Sequence, residues 1–235
     1  MQGIADISTY TFQLPFTGMM VTVNPVTIVT TWAIIAVILV LAKLSVYKLS
    51  MVPTKRQAAV EAIVGWFEET ITDSMGAGGR AFVPFIVTLF LFVLFSNWAS
   101  LIPNVKSPTS DLNTCFALGG LVLFVSHAYA IKKKGLGKYI KSYFEPVWFL
   151  FLPNVFSEIS KVLSHSFRLF GNIFAGGILI VLIPALLVKL FSWWAVPLGI
   201  IVVPGLNAFF GVFVGAVQAL VFTLLAVAYI GVLSN

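Results

Sequence analysis

The chain has 235 residues, of which 60% are hydrophobic and only 9% are charged, with a formal net charge of +6 and a single cysteine. Soluble domains carry roughly 25% charged residues, so this composition excludes an ordinary soluble enzyme and predicts a membrane protein. The basic residues lie in short runs between apolar segments, which argues against nucleic acid as a partner and makes them markers of membrane orientation.

The first predicted elements are an external segment at residues 1–25 and a membrane span at residues 26–44. At 1.5 Å per residue this span covers about 30 Å of hydrocarbon. No lysine or arginine precedes the span, whereas Lys43 and Lys48 lie at its end. The positive-inside rule therefore predicts an external N-terminus and a cytoplasmic end at Lys48.

Residues 53–75 follow a different pattern, in which apolar and charged residues occupy opposite faces of a helix. The apolar face consists of Val60, Ile63, Val64, Phe67 and Ile71. This pattern predicts an amphipathic helix that lies along the cytoplasmic membrane surface, in contact with lipid.

Residues 82–131 are predicted to form a helical hairpin of two further spans. Asp111 precedes the second of them and is placed as its N-cap. His127 near the inner end is interpreted as a packing residue. Five lysines then mark the cytoplasmic side: Lys132, Lys133, Lys134, Lys138 and Lys141.

Residues 154–232 are predicted to form a long, tilted hairpin with an external loop at 189–197. Its first helix, 154–190, would be about 55 Å long, which is too long for an upright crossing, and Pro184 predicts a kink. The complete prediction is a single all-α membrane domain with five transmembrane helices, one surface helix and a cytoplasmic C-terminus.

The first helix of this hairpin carries a polar stripe, which we define as Glu158, Lys161, His165, Arg168 and Asn172. Their spacing places all five on one side of the helix. Arginine does not lose its proton, and a charge in hydrocarbon is costly. The stripe is therefore predicted to face a partner, a water-filled cavity or a counter-charge.

The last helix carries a second polar face. Asn207, Gly211, Gly215 and Gln218 share it. The glycine pair predicts close helix packing, and Gln218 predicts a hydrogen bond between helices unless it faces the polar stripe. Because the two helices are consecutive and antiparallel, their polar faces are expected to meet.

Two motifs carry a resemblance to a known family. The stretches SFRLFGNIFAGG at residues 166–177 and QALVFTLLAVAYIG at residues 218–231 resemble subunit a of F-type ATP synthases, as do KKKG at 132–135, SDLN at 110–113 and EISK at 158–161. The order and spacing of these motifs match that family from Phe82 to Gly231.

The resemblance implies a stator subunit beside a rotating ring of c subunits, with the peripheral-stalk b subunits and, indirectly, the ATPase head as further partners. It implies no cofactor and a bacterial plasma membrane. Arg168 matches the essential arginine that separates two offset half-channels, Asp111 and Asn113 match the outer mouth, and Glu158 matches the cytoplasmic half-channel. The candidate ion-translocation residues are Arg168, Asn172, Gln218, Asp111, Asn113, Glu158, Lys161, His165 and Asn207.

The chain also departs from that family. Gly177 and Gly211 stand where many relatives carry an ionisable side chain, and His165 stands where leucine is common. Protons and sodium both remain candidate ions, since sodium needs only oxygen atoms and water.

Two alternative classes are a secondary transporter and an intramembrane enzyme. An internal repeat would be typical of the first, and HExxH would be one signature of the second. Neither feature occurs in the sequence.

Overall fold

The computed structural model describes residues 10–13, 20–46, 54–102, 105–145, 147–192 and 195–234. In this part of the chain, five helices are long and apolar enough to cross a membrane. The predicted all-α membrane fold is therefore confirmed. The N-terminal segment needs one correction, because strands β1 (Tyr10–Gln13) and β2 (Met20–Val23) form an antiparallel hairpin that the sequence did not predict.

Helix α1 (Pro25–Val46) contains the predicted first span and leaves most of its apolar side chains exposed. Helix α2 (Lys55–Met75) begins at Thr54, whose side chain accepts a hydrogen bond from the Gln57 N–H at 3.4 Å. Its C-terminal half is packed against the bundle, whereas Val60 and Ile63 on the predicted apolar face are exposed. The placement of α2 along the membrane surface stays a prediction.

Helices α3 (Val83–Ala99) and α4 (Leu112–Lys134) form the predicted hairpin, with 3₁₀ turns at Ala77–Phe82 and Pro108–Ser110. The Asp111 carboxylate accepts a hydrogen bond from the Asn113 N–H at 3.0 Å, which confirms its place as the N-cap of α4. Gly135, with φ of 80°, ends α4, and the short helix α5 (Leu136–Ser142) follows.

Helix α6 (Phe151–Phe191) is one helix of 41 residues with Pro184 inside it. At 1.5 Å per residue it is about 61 Å long. Helix α7 (Ala195–Asn207), a π-helical segment (Ala208–Val214) and helix α8 (Gly215–Ser234) follow. The predicted loop at 189–197 is therefore too long, and the predicted continuous last helix contains a π segment.

Helix α8 is the centre of the bundle, because α2, α3, α4 and α6 all pack against it. Phe222, Ala226 and Ile230 of α8 are fully buried there. Helix α6 lies on the outside of the bundle and exposes a long apolar face that includes Phe167, Phe174 and Val181. A single exposed face of this size needs lipid or another protein to cover it.

Two ends of the bundle serve as reference points below. The lysine-rich end is defined by Lys132, Lys133 and Lys134 at the end of α4. The opposite end is defined by Ser100, which directly follows α3, and Lys106. Helix α6 runs from the lysine-rich end to the opposite end, since it packs antiparallel to α4.

Candidate functional site

The polar stripe of α6 turns from the interior of the bundle to its surface. His165 is only 2% exposed, and the side chains of Glu158 and Lys161 are 15% and 29% exposed. Asn172 is half-buried, whereas Arg168 is exposed. The five residues share one side of the helix, as predicted, but Arg168 alone among them lies on the exposed surface.

Arg168 projects from the middle of the exposed apolar face of α6, beside Phe167. Its guanidinium forms no ion pair and no hydrogen bond with any residue that the structure describes. A permanent charge on an apolar, membrane-length helix is costly without a partner. The described residues therefore supply no counter-charge for Arg168.

Five ionisable side chains meet at the lysine-rich end, and we call Glu158, Lys161, His127, Tyr139 and Tyr143 the inner cluster. Lys161 Nζ lies 2.6 Å from Glu158 Oε1, and His127 Nε2 lies 3.9 Å from Glu158 Oε2. The Tyr139 hydroxyl lies 2.6 Å from His127 Nδ1 and 2.8 Å from the Tyr143 hydroxyl. His127, interpreted from sequence as a packing residue, thus also contacts a carboxylate.

Tyr143 lies at the end of the hydrogen-bonded chain of the inner cluster, in the connection between α4 and α6. Burial raises the pKa of Tyr143 above the ordinary range of a phenol, and its hydrogen bond with Tyr139 raises the pKa further. The hydroxyl therefore keeps its proton at neutral pH and serves as a hydrogen-bond donor or acceptor rather than as a charge.

His165 lies between the inner cluster and Arg168. Its ring centroid is 3.8 Å from that of Phe222 and 5.6 Å from that of Tyr229, both on α8. Neither ring nitrogen has a hydrogen-bond partner among the described residues. A cavity of about 10 Å³, lined by His165, Glu158 and Lys161 of α6, Ser126 of α4 and Tyr229 of α8, adjoins the ring.

The contact between His165 and Phe222 fixes the level of Gln218. Arg168 lies three residues beyond His165, about 4.5 Å along α6, and Gln218 lies four residues before Phe222, about 6 Å along α8. Because the two helices are antiparallel, both displacements lead away from the lysine-rich end. Gln218 therefore lies at nearly the same level along the bundle axis as Arg168. Unlike Arg168 it is buried, and its Nε2 has no partner among the described residues.

The opposite end holds a second polar cavity, which we call the outer cavity. It has a volume of about 130 Å³ and brings together Asn172, Asn207, Gly177 and Gly211 from the sequence predictions, with Ser100. A cavity of this volume is large enough for several water molecules, and Ser100, Asn172 and Asn207 supply polar groups to its lining. It adjoins a larger groove of about 710 Å³ that shares Ser100 and Gly177 and has Lys106 at its rim.

Two residues predicted at the outer mouth do not line these cavities, although the neighbouring Ser110 lines the groove. Asp111 and Asn113 form the N-terminal cap of α4 and are absent from the described lining of both the outer cavity and the adjoining groove.

The two glycines of the outer cavity differ in the space around them. A Cβ atom on Gly177 would meet nothing within 4 Å, whereas a Cβ atom on Gly211 would overlap the Leu101 side chain. The close packing predicted for the pair Gly211 and Gly215 applies to both, because a Cβ atom on Gly215 would lie 3.2 Å from the Asn97 Cβ atom of α3.

Sequence reasoning missed a buried hydrogen-bond network near the outer cavity. Asn97 Nδ2 donates to the Gly215 carbonyl oxygen at 2.9 Å, and the Thr109 hydroxyl donates to Asn97 Oδ1 at 3.0 Å. The Ser107 hydroxyl lies 2.7 Å from that of Thr109. An asparagine within an apolar span was the available signal, because such a side chain requires a partner.

Comparison with known proteins identifies the family of the chain. The family model described as "ATP synthase A chain" matches residues 27–231. The protein "ATP synthase subunit a" of Moorella thermoacetica is 36% identical over 208 residues, covering 87% of this chain and 88% of the relative. That of Desulforamulus reducens is 35% identical over 210 residues, covering 88% and 79%. "ATP synthase subunit a 2" of a Bradyrhizobium species is 34% identical over 204 residues, covering 87% and 86%. The chain therefore belongs to the ATP synthase A chain family.

Proposed function

We propose that this chain is the ion-conducting stator subunit of a rotary F-type ATP synthase. Arg168 carries the argument, because it is a permanent charge exposed on an apolar face and has no partner among the described residues. In this proposal the missing counter-charge is a carboxylate on a ring of c subunits that turns against α6. The b subunits of the peripheral stalk hold the chain in place, and the ATPase head is an indirect partner.

The two polar regions on either side of Arg168 are proposed as the two half-channels. The outer cavity, with Asn172 and Asn207, would load ions from outside, and the inner cluster around Glu158 would exchange them with the cytoplasm. Arg168 and Gln218 lie at the level between the two half-channels. In this proposal an ion crosses that level only while it is bound to a carboxylate of the c ring. Asp111 and Asn113 would act at the outer mouth through the capped start of α4.

The role of Arg168 follows from electrostatics. A fixed cation attracts an arriving carboxylate and favours its ionised form, which promotes release of the ion that the carboxylate carries. One charge that crosses the full membrane potential gains about 2.3 kcal/mol per 100 mV. Several ions per ATP are therefore required, which a rotating ring supplies in sequence.

Purification tests the proposal directly. An affinity-tagged chain extracted in mild detergent is expected to co-purify with a c ring and a water-soluble ATPase head. An independent secondary transporter would instead purify without them while it still moved ions in vesicles. Ion transport by the isolated chain, with no associated subunits, would refute the stator role.

Orientation gives a second prediction. In a Cys115→Ser background, Lys133→Cys is expected to react with an impermeant thiol reagent only from the cytoplasmic side, because the lysine-rich end is proposed to be cytoplasmic. Cys115 is fully buried, so the unmodified chain should label weakly from either side. Labelling of Lys133→Cys from outside in sealed cells would reverse the proposed topology.

The outer cavity gives a third prediction. Gly177→Glu should assemble normally, because a Cβ atom at Gly177 meets nothing within 4 Å. With protons as the transported ion, the added carboxylate should be tolerated, since it can exchange a proton. With sodium, the narrowed and charged cavity should slow synthesis about tenfold by retaining the ion. Synthesis rates of this variant in vesicles, with and without sodium, separate the two ions.

A further inference from the structure

Buried polar atoms without partners converge on one small cavity between α4, α6 and α8. Glu158 Oε2 and both ring nitrogens of His165 have no hydrogen-bond partner among the described residues, although each is buried. Glu158 and His165 both line the cavity of about 10 Å³. That volume is about the least that holds one water molecule. Because leaving such atoms unpaired is costly, a shared water is the economical way to satisfy them.

The polar groups continue from this cavity toward the lysine-rich surface. Glu158 Oε1 pairs with Lys161, which leaves Oε2 facing His127 at 3.9 Å. A small side-chain movement reduces that distance to hydrogen-bond length. His127, Tyr139 and Glu158 also line an open pocket of about 350 Å³. Ionisable groups therefore extend almost without interruption from the surface to His165.

In the other direction, His165 is one helical turn from Arg168, about 4.5 Å along the axis. The charged and titratable groups around its ring are Arg168, Lys161 and Glu158 on α6 and Tyr229 on α8, and α4 contributes the hydroxyl of Ser126. A neutral imidazole accepts a proton at one nitrogen and releases one from the other. It is therefore the side chain best suited to transfer a proton between a carboxyl group at Arg168 and the cavity.

A sodium ion does not fit this route. A hard cation needs several oxygen ligands at once, whereas the cavity has the volume of one water molecule and includes the cationic side chain of Lys161 in its lining. Lys161 is paired with Glu158, but Arg168 has no such partner among the described residues and repels a sodium ion that rests beside His165. A neutral imidazole that accepts one proton as it releases another carries no lasting positive charge. A proton needs neither space nor a ligand shell, because it moves along hydrogen bonds.

We propose that His165 and Glu158, joined through the small cavity, form a proton-transfer path in the lysine-rich half, so that the transported ion is H⁺ rather than Na⁺. This inference rests on the proposed stator function. A protonated ring carboxyl releases its proton to one nitrogen of His165 and becomes the carboxylate that pairs with Arg168. The other nitrogen releases a proton through the cavity water to Glu158, which passes it to His127 and the cytoplasm. His165, Glu158 and His127 regain their starting charges, and the imidazole regains its starting tautomer when the ring turns over or exchanges a proton with the cavity water. The same transfers run in reverse during ATP-driven pumping.

The test uses the whole enzyme in sealed vesicles, with ATP-driven acidification measured in sodium-free medium. Wild type is expected to pump protons at full rate without sodium. His165→Gln and His165→Leu should each slow pumping about 100-fold, the low end of what a positioned acid–base group contributes. Ser166→Ala is the matched control, because its buried hydroxyl is adjacent, has no partner among the described residues and does not titrate near neutral pH. That variant should pump at the wild-type rate.

The two His165 variants separate proton transfer from packing. If the ring only packs against Phe222, leucine should preserve the rate and glutamine should impair assembly by burying an unpaired amide. Wild-type pumping by His165→Leu would overturn the proposal, as would a requirement of the wild-type enzyme for sodium.

A second position keeps the test decisive if the His165 variants fail to assemble. His127→Phe keeps an aromatic ring against Tyr139 and should lower pumping about tenfold, because water in the neighbouring open pocket can replace part of its function. If the His165 variants do not assemble and His127→Phe pumps at the wild-type rate, the proposed proton-transfer path is overturned. If Arg168→Ala loses coupling while the His165 and His127 variants pump at the wild-type rate, the stator role stands and only this inference is refuted.

Discussion

Replacement of Arg168 by alanine is expected to reduce ion-driven ATP synthesis to background while leaving the amount of assembled complex close to that of wild type. The side chain is exposed and pairs with no described residue, so its removal leaves no buried partner without its counter-charge. What is lost is the fixed cation that receives the ring carboxylate and keeps the two half-channels apart. The measurement is synthesis driven by an imposed ion gradient in vesicles.

Two further variants sharpen this test. Arg168→Lys keeps a positive charge but loses the planar set of donors that pairs with a carboxylate through two hydrogen bonds, so a large loss is expected there too. Lys189→Ala removes the other exposed cation of α6 near its far end and should have no effect on synthesis. Wild-type synthesis in Arg168→Ala vesicles would mean that the charge has no part in coupling.

Helical periodicity predicted which residues share a face of α6, but not how each of them is buried. At 100° per residue, Arg168 lies about 80° around the helix from Glu158, and His165 lies between the two. Helices α4 and α8 cover only one side of α6. The edge of the polar stripe at Arg168 therefore reaches the surface, while His165 is enclosed. Which edge is covered depends on the packing of distant helices, and a single sequence carries no direct record of that.

Two other features had even weaker signals in the sequence. Asn97 bonds the carbonyl oxygen of Gly215, 118 positions later, and no local pattern indicates a pair so far apart. The π segment at Ala208–Val214 is apolar throughout, so an extra residue in the turn does not disturb any polar–apolar period. By contrast, Asp111 was predicted correctly as an N-cap, because capping depends on neighbouring residues in the chain.

Replacement of Gly119 by valine is expected to separate α4 from α6 and to abolish most coupled synthesis. A Cβ atom at Gly119 would overlap the Ser166 hydroxyl and would lie 3.4 Å from the Val162 carbonyl oxygen, which belongs to the backbone of α6 and cannot move alone. Overpacking of this kind costs about 1–3 kcal/mol. It also widens the gap across which His127 of α4 meets Glu158 of α6.

The next residue in the chain supplies the matched control. Gly120 lies in the same helix, and a Cβ atom there would meet nothing within 4 Å. Gly119→Val and Gly120→Val share the same change in helix propensity, so any difference between them reports the contact with α6. We expect Gly119→Val to lower the yield of assembled complex severalfold and to lower synthesis per complex further, with Gly120→Val close to wild type on both measures. Equal behaviour of the two variants would show that the close approach of α4 and α6 at Gly119 is not needed for coupling.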